Sequence, residues 1–515
     1  MKNRKGAAVF LGVLALGAIL AISSCDLDAD LTFLGGGKAD GTGIGPVSGF
    51  GSVIVNGVRY DDAGIDNASF FDDHGRTKTD LMAGMMVKVT ATDIHDASGT
   101  GTATRIEVHR HVDGPLDDNG VTLSTNRMKV MGQTVVTDTA TVFANVIDLV
   151  SVDDLARAGN RPELEVHGIA DDDGTIHATF VLMWADNVVA NRNVQVKGTV
   201  ANLNLARTSF TLGTVSVSIP APPSGLANGQ FVEAKGTFRI SDNTLVATVV
   251  TIGDPSAGQG AGDLAKAEGY VNRIVTPTQF ELVRADGPQR INWNSSSVVF
   301  RDGVASDLVA GARVVVEGKR NSDKSVAAKE ISFRKPANYR MDTTVTVPDS
   351  PPDSLRLFGK TVFVNSLTQY KDSRDGLRTF GLANIQTNDT LRVSAFLDSS
   401  SGLDRIVASR VERIDAFPTS DRHVLQGRVV VFDTIGPTYT VLGNLASGLT
   451  VLTNVSTTSF ANADGSDMTQ AEFFALLAAN DSVGKSVVVR ARGTAAAPGT
   501  QMVAQDVEIE PTIDN

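Results

Sequence analysis

The chain has 515 residues, of which 42% are hydrophobic and 6% aromatic, and it contains a single cysteine. One cysteine excludes a disulfide framework, a cysteine-ligated zinc site and a c-type haem attachment. The net charge of -12 disfavours a nucleic acid partner, because an acidic body repels phosphate. The length predicts several small domains rather than one large core.

Residues 1–24 predict an export signal peptide. After a basic start, the apolar run of residues 7–22 is shorter than the ~20 residues that a membrane-spanning helix needs. The ISSC motif at residues 22–25 resembles the lipobox of bacterial lipoproteins. The resemblance implies diacylglyceryl transfer to the Cys25 thiol, cleavage after Ser24, acylation of the new amine, and a lipid-anchored place in the bacterial cell envelope, facing the periplasm or the cell surface. An ordinary cleaved signal and an uncleaved anchor are the alternatives.

Residues 26–42 are rich in Gly and Asp and predict a flexible spacer. Beyond this spacer one pattern recurs, with three short strands, a small Leu-containing helix that ends in Gly, and two further strands. The clearest landmark is the residue that ends the predicted helix just before a Val-rich strand. It occurs at Gly84, Gly159, Gly229, Gly311, Asn388 and Gly484.

The repeat predicts six modules after the signal peptide and a lipidated spacer of residues 25–42. The clearest breaks are expected at residues 254–265 and 335–354, where Gly and Pro cluster. The modules are expected at residues 43–112, 113–190, 191–253, 266–335, 341–416 and 423–511.

Within each module, β-branched residues alternate with polar ones, which is typical of strands with one buried face. Capping-box patterns at residues 151–154 and 469–472 indicate helix starts, and the closing glycines suit a left-handed conformation. The element order is that of the OB-fold, whose closure removes exposed strand edges. The sequence therefore predicts an all-β tandem array of about six five-stranded, OB-like Greek-key barrels, each with one short helix between strands 3 and 4.

The first copy opens with GTGIGPVSGFGSVIVNGVRYD at residues 41–61. This stretch resembles the opening of DUF5666, a family of uncharacterised bacterial envelope modules, and shorter echoes extend the resemblance across most of the chain after the spacer. The resemblance implies export and tandem small barrels. It brings no catalytic residues.

Histidine is concentrated in the first two predicted modules, which contain six of the seven histidines. Polar residues alternate along two predicted strands, so those on each strand share one face, which we expect to be exposed. Such faces are a hypothesis for a metal site, but polar strand faces are common, and neither a metal site nor a cofactor is predicted. The histidines are His74, His95, His109, His111, His167 and His177, and the two faces consist of Glu107, His109 and His111 and of Glu163, Glu165 and His167.

Asp-rich stretches at residues 117–120, 171–174 and 464–465 predict hairpin turns. A calcium site is the alternative, but the ligand spacing of a calcium loop is lacking. Trp184 is expected in a core or at a contact between modules.

The chain contains none of the common catalytic motifs, so no catalytic residue is predicted and we do not expect an enzyme. The leading hypothesis is a non-enzymatic, membrane-anchored envelope lipoprotein whose repeated barrels act as a scaffold, adhesion or binding surface. The alternative is a periplasmic or surface binding protein for a metal ion or a glycan through one or two modules. Expected partners are membrane lipid through Cys25 and an envelope protein or glycan, but not nucleic acid.

Overall fold

The computed structural model describes most of the chain beyond the predicted signal peptide. Cys25 and most of the predicted spacer lie outside the described residues. Among the helices that the structure describes, none has the length and apolar character needed to span a membrane. The described residues are 39–95, 99–189, 192–254, 259–345, 352–398, 405–417, 423–441, 448–483, 485–496 and 501–510.

The strands fall into six consecutive groups along the chain. The first group contains β1 (Ala39–Gly49), β2 (Val53–Val55), β3 (Val58–Asp61), β4 (Phe70–Phe71), β5 (Met86–His95) and β6 (Thr100–Val108). The second contains β7 (Val112–Thr122), β8 (Arg127–Val130), β9 (Gln133–Val136), β10 (Val142–Ala144), α1 (Leu149–Arg157), β11 (Glu163–Ala170) and β12 (Ile176–Ala185). The third contains β13 (Asn193–Ala201), β14 (Ser209–Leu212), β15 (Val215–Ser218), β16 (Phe231–Arg239) and β17 (Thr244–Ile252).

The second half of the chain repeats this arrangement. The fourth group contains β18 (Leu264–Thr276), β19 (Gln279–Arg284), β20 (Gly287–Asn292), β21 (Val299–Arg301), β22 (Arg313–Arg320) and β23 (Val326–Phe333). The fifth contains β24 (Tyr339–Thr344), β25 (Ser354–Leu357), β26 (Lys360–Phe363), β27 (Gln369–Asp372), β28 (Thr390–Asp398) and β29 (Arg405–Ile414). The sixth contains β30 (His423–Asp433), β31 (Thr438–Val441), β32 (Leu449–Leu452), β33 (Ser459–Ala461), β34 (Asp467–Met468), α2 (Gln470–Asp481), β35 (Val488–Ala496) and β36 (Gln501–Glu510).

One pairing scheme recurs among these groups. In the first, β2 pairs antiparallel with β1 and β3, β3 runs parallel to β6, and β5 pairs with both β6 and β1. Leaving out the short β4, the strand order is first, second, third, fifth, fourth and back to the first. The second, third and fourth groups and the sixth close in the same order, while the ladder of the fifth group runs β25–β26–β29–β28–β24. An all-β fold of tandem small barrels is therefore confirmed.

The prediction of a helix in every module was wrong. Among the described residues, only α1 and α2 are α-helices. The segments that end at Gly84 and Gly311 are too short to offset the cost of helix nucleation. Three groups have a single 3₁₀ turn at this place, Lys78–Asp80, Ala305–Asp307 and Leu382–Asn384, and the third group has neither a helix nor a 3₁₀ turn there.

Helix α2 begins with the predicted capping box, since Thr469 N donates to Glu472 Oε2 (2.7 Å) and Glu472 N donates to Thr469 Oγ1 (3.2 Å). Helix α1 begins earlier than predicted, because Asp148 caps it by accepting a hydrogen bond from Ser151 N (2.9 Å). The predicted box at residues 151–154 therefore lies inside the helix. The left-handed conformation predicted for the closing glycines is confirmed by φ values of 91°, 87° and 83° at Gly84, Gly159 and Gly311.

Two segments predicted as linkers contain strand. Residues 39–42 belong to β1, which pairs with β5 and β18, and six residues of the break expected at residues 335–354 form β24. Glycine in β1 reflects close packing rather than flexibility. A Cβ atom on Gly41 would collide with the carbonyl oxygen of Leu264, and one on Gly43 would collide with the hydroxyl of Tyr60.

The barrels are joined to one another through their first strands. Strand β1 pairs in parallel with β18, whereas β7 pairs antiparallel with β13 and β24 with β30. The described strands consequently form three sheets of 12, 11 and 13 strands, each built from two barrels. The second and third groups share one apolar core, and so do the fifth and sixth. Sharing suits barrels of this size, whose separate cores are marginal.

A glycine interrupts the fourth long strand of four barrels. At each position the register with the fifth strand shifts, which marks a β-bulge that bends the strand. An added Cβ would meet a carbonyl oxygen of the fifth strand, so the backbones approach more closely than any side chain allows. The glycines are Gly168, Gly236, Gly318 and Gly493, which oppose the carbonyls of His177, Val246, Ala327 and Val503.

We expect Gly318→Ala to lower the free energy of unfolding by about 2 kcal/mol, because the new methyl group overpacks the bulge. Trp293, which lies against Phe300 in the same barrel, would report urea unfolding by fluorescence in a Trp184→Phe background. Gly64→Ala, at a position with no atom within 4 Å in the first barrel of the same sheet, is the matched control. Equal urea midpoints for Gly318→Ala and Gly64→Ala would show that the bulge does not require glycine.

Candidate functional site

The polar strand faces considered for metal binding are not exposed. Strand β6 ends at Val108, so His109 and His111 lie in the connection to β7, and His111 is buried. On β11 the polar face is enclosed as well, because the first barrel packs against it. Its residues Glu163, Glu165 and His167 are each at most 1% exposed.

Glu165 is the centre of this enclosed face. Its Oε1 accepts hydrogen bonds from Arg76 Nη2 (2.6 Å) and His167 Nε2 (2.6 Å), and its Oε2 accepts one from Trp184 Nε1 (3.0 Å). Arg110 Nε lies 3.3 Å from Oε1. Burial by itself would raise the pKa of Glu165, but the His167 hydrogen bond and the charges of Arg110 and Arg76 hold the pKa well below its usual range.

The proton position on His167 follows from its two contacts. Its Nδ1 accepts a hydrogen bond from Met86 N (3.1 Å) in the first barrel, so Nε2 carries the proton that is donated to Glu165. Burial lowers the pKa of His167, which favours this neutral tautomer. The ring therefore joins β5 of the first barrel to β11 of the second.

A second group of ion pairs lies beside Glu165. Asp113 Oδ2 lies 2.6 Å from His74 Nε2, and its Oδ1 accepts a hydrogen bond from Arg192 Nη2 (2.5 Å). Arg192 also donates to Glu163 Oε2 (2.8 Å), and the His74 and Trp184 rings lie 4.9 Å apart. Trp184 thus contacts the first barrel across the boundary, consistent with a contact between modules. We call Glu165, His167, Asp113 and their cationic partners the junction cluster.

Among the described residues, His74, Asp113 and Glu165 place possible ligand atoms within 4.8 Å of one another. The donor set does not fit a metal ion, because Arg76 and Arg192 already bind the two carboxylates. A divalent cation there would have to share these carboxylates with two guanidinium groups, at a large electrostatic cost. The arrangement is that of a buried ion-pair network which holds barrels together.

His109 and His111 are kept neutral by their surroundings. His109 Nδ1 accepts a hydrogen bond from Lys197 Nζ of the third barrel (3.0 Å). Burial lowers the pKa of His109 well below its ordinary value, and the positive charge of Lys197 adds to this effect. Burial, again with the Lys197 charge, lowers the pKa of His111 to about 3.

The three Asp-rich stretches differ in structure. Residues 171–174 form the predicted hairpin turn between β11 and β12, with Gly174 at φ 87°, and residues 464–465 lie in the turn between β33 and β34. Residues 117–120 are not a hairpin turn but an irregularity inside β7, where Asn119 has φ 52°. There Asp117 accepts a hydrogen bond from Gly132 N (3.0 Å), which bridges the bulge to β8 and β9.

A cavity of about 670 Å³ lies between the second and fourth barrels. His177 of the second barrel stacks on Tyr270 of the fourth, with ring centroids 4.5 Å apart, and its Nε2 lies 2.7 Å from Asp171 Oδ2. The charged residues of the lining are Asp138, Asp171, Asp172, Asp307, Arg313, Arg334 and Lys335.

The sequence singled out Glu163, Glu165 and the histidines of the junction cluster but missed Asp113 and the cationic partners. Arg76, Arg110 and Arg192 lie in loops and connections, where nothing in the local pattern marks them for burial. His95 ends β5 and takes no part in the junction cluster. Cys25 lies outside the described residues, so its lipidation stays a prediction.

We expect Glu165→Gln to cost about 3 kcal/mol of unfolding free energy, because it leaves buried guanidinium groups without their counter-charge. Asp242→Asn is the control, since it removes an ion pair with Arg239 whose side chains are 48% and 55% exposed, and it should lower the unfolding free energy far less. Thermal and urea unfolding would measure both losses. Similar small losses would show that the junction cluster does not stabilise the fold.

Acid should destabilise the protein through His109 and His111. Below the ordinary histidine pKa of ~6.5 the unfolded chain binds protons that the folded chain excludes, so stability falls as the pH decreases. Between about pH 7.5 and pH 5 the loss is about 2 kcal/mol for His111, and His109 adds to it in the same direction. Urea midpoints across this range should fall, and His109→Gln with His111→Asn should flatten the decline. An unchanged slope in the double variant would contradict this cause.

No curated protein matches the chain. Among solved structures, the crystal structure of a multidomain protein with nucleic acid binding domains from Streptococcus pneumoniae TIGR4 is similar at 10% sequence identity. The similarity covers 49% of this chain and 75% of that one, with a TM-score of 0.10.

The predicted partners are corrected on this finding. Net charge and scarce aromatics argue against nucleic acid, but a similar chain is described by its nucleic acid binding domains, so nucleic acid is no longer excluded as a partner. A TM-score of 0.10 carries no argument for what this chain binds. The membrane lipid expected as a partner through Cys25 has no support either.

The family described as "Domain of unknown function (DUF5666)" matches the chain five times, in succession. Each match corresponds to one of the first five strand groups, and together the matches cover more than half of the chain. The matched residues are 44–107, 113–181, 187–251, 268–332 and 344–412. The chain therefore belongs to the DUF5666 family and contains its module in tandem.

Proposed function

We propose that the protein is a non-enzymatic scaffold of the bacterial cell envelope, in which barrels held in fixed relation present a composite binding surface. The observation that carries this proposal is the joining of barrels in pairs through their first strands, as in β1 with β18 and β7 with β13. Hydrogen-bonded strands cannot rotate about a linker. Sites on two paired barrels therefore keep constant distances, which is what a scaffold requires.

The absence of an enzymatic role is part of the proposal. The acidic and basic groups of the junction cluster form ion pairs and hydrogen bonds with one another, as Glu165 does with Arg76 and His167. A general acid or base needs access to substrate and a pKa near the working pH. Glu165 is fully buried and its pKa lies far below its usual range, so it meets neither requirement.

We further infer that residues 423–510 form a sixth module and that the modules are OB-like Greek-key barrels. No family match covers these residues, but β30–β36 pair in the same closed order as the matched groups. In the OB-fold, the third strand runs parallel to the fifth, and the fourth strand closes the barrel by pairing with the first. Strands β32 and β36 pair in this parallel way, and β35 pairs with β30. Stability of residues 423–510 expressed with their partner barrel would support this inference.

Export is likewise a proposal, supported by the basic start, apolar run and ISSC motif of residues 1–25. Cell fractionation, with the protein followed by an antibody, tests the envelope location. Recovery with the cytoplasmic fraction would contradict it.

Fixed geometry can be tested by distances between spin labels. Thr104→Cys and Asn202→Cys place labels on exposed residues of the first and third barrels, in a Cys25→Ser background. We expect one narrow distance distribution, and Glu165→Gln in the same background should broaden it. A broad distribution in the unaltered junction would show independent barrels and contradict a rigid scaffold.

The scaffold role itself can be tested in intact cells. A photoreactive amino acid at Thr104, Asn202 or Ser456, each exposed and on a different barrel, should crosslink to a shared set of macromolecules. Adducts from at least two positions support a scaffold. Complete absence of adducts from all three positions would contradict it.

A further inference from the structure

The fourth barrel contains a cavity beside the turn that joins β20 to β21. Strand β20 pairs with β23 as far as Asn292 opposite Ala327, and β21 resumes the pairing with Val299 opposite Glu330. The residues between these two strands leave the ladder and form the turn. The cavity beside it has a volume of about 420 Å³, within the ~300–1,000 Å³ of small-molecule sites.

In three other barrels a threonine bridges the equivalent turn to the fifth strand. The threonine directly precedes the strand that resumes the pairing, and its hydroxyl donates to the carbonyl oxygen of an alanine opposite the register shift. In the fourth barrel the corresponding residues are Val298 and Ala328. Valine has no hydroxyl, so this bridge cannot form beside the cavity. The pairs in the other barrels are Thr141 with Ala178 (2.9 Å), Thr368 with Ala408 (2.8 Å) and Thr458 with Ala504 (2.8 Å).

The first residue of the turn is also different in the fourth barrel. Trp293 N donates to Thr278 O (2.9 Å), just before the second strand, and the indole packs edge-to-face on Phe300 with ring centroids 5.8 Å apart. The Trp293 Nε1 is buried and donates to no described residue. Because this atom is enclosed, the indole offers the cavity a hydrocarbon surface. The residues with the same backbone hydrogen bond in the second, fifth and sixth barrels are the smaller Thr137, Val364 and Thr453.

The remaining lining combines a small apolar surface with polar side chains. Ala327 is exposed and Ala328 is half-buried, so β23 adds methyl groups to the lining. Glu317 lies 2.8 Å from Lys266 and 3.9 Å from Lys329, which gives these lysines a counter-charge. The polar side chains of the lining include both donors and acceptors of hydrogen bonds, and they belong to Asn292, Asn294, Ser297, Glu317, Lys319 and Lys329.

A pyranose ring matches this combination. Its C–H groups form an apolar face that packs on the negative face of an aromatic ring, and the hydroxyl groups at its rim both donate and accept hydrogen bonds. A purely apolar ligand would exclude water from the polar side chains without replacing its hydrogen bonds. A strand of nucleotides is bound by several stacking rings in succession, whereas the described lining contains one aromatic residue.

We propose that this cavity binds a pyranose unit of a glycan, with a C–H face on Trp293 and Ala327 and with hydroxyl groups at Asn294, Ser297 and Lys319. Asn294 and Ser297 belong to the turn and Lys319 to β22, so the polar groups come from two separate elements. The site lies within the fourth barrel and does not depend on the scaffold role.

An array of immobilised oligosaccharides tests the site. The body of residues 25–515 with Cys25→Ser, detected by an antibody, should bind saturably to at least one pyranose glycan. Calorimetry with that glycan should then show one site for each chain. Binding to none of the glycans, or binding of oligodeoxythymidine alone, would overturn the proposal.

A blocking variant locates the site. Ala327→Glu places a larger side chain on the exposed floor of the cavity and should weaken binding of the glycan by about tenfold or more. Val503→Glu is the matched control, because Val503 is 43% exposed and its carbonyl opposes Gly493 as that of Ala327 opposes Gly318. It makes the same change in charge on the sixth barrel and should leave the affinity unchanged. Equal affinities of the two variants would overturn the proposal.

The role of the indole has a spectroscopic test. In a Trp184→Phe background Trp293 is the only tryptophan, so its emission should shift as the glycan saturates the site. Trp293→Phe keeps a ring and should bind severalfold more weakly, whereas Trp293→Leu should lose about tenfold or more while unfolding within a few degrees of Trp293→Phe. Constant emission at saturation, or equal affinities of the Phe and Leu variants, would contradict stacking on Trp293.

Discussion

In four of the described barrels, closure depends on a contact in which no side chain fits between two backbones. At Gly236, Gly318 and Gly493 a carbonyl oxygen of the fifth strand occupies the place where a Cβ would lie. The resulting bulge bends the fourth strand enough for it to pair with both the fifth and the first. The first and fifth barrels have Ala91 and Ala395 at the corresponding register shifts, so a residue hardly larger than glycine serves there. In the closed barrel, part of the first strand keeps a free edge, and this edge pairs with the first strand of a neighbouring barrel.

Pairing along this edge explains why charged residues are buried at the boundaries between barrels. Joining β7 to β13 and packing β5 against β11 encloses the polar face of β11, whose carboxylates then need counter-charges. Arg76, Arg110 and Arg192 supply them from loops of the first and second barrels. A buried ion pair contributes little net stability over apolar packing, but removing one member is costly. The junction cluster therefore specifies which barrels meet more than it strengthens them.

Features with a local cause could be predicted from the sequence. Alternation of Val with polar residues predicts the strands, the Thr469 capping box predicts the start of α2, and the closing glycines predict a left-handed residue. Predictions that assumed that one side of a strand faces solvent were wrong. The Glu163, Glu165 and His167 face alternates just as an exposed face does, because a polar face against another protein surface and a polar face against water have the same period.

The sequence by itself determined the repeated all-β module, its approximate length and the places of its tight turns, because strand alternation and turn chemistry act over a few residues. Only the tertiary structure decided which barrels pair, which polar residues are buried and where the cavity beside Tyr270 lies. These features depend on contacts such as Gly41 with Leu264 and Glu165 with Arg76, which join residues far apart in the chain. The local sequence pattern around a residue does not identify its distant partner, so these features are determined by packing between barrels.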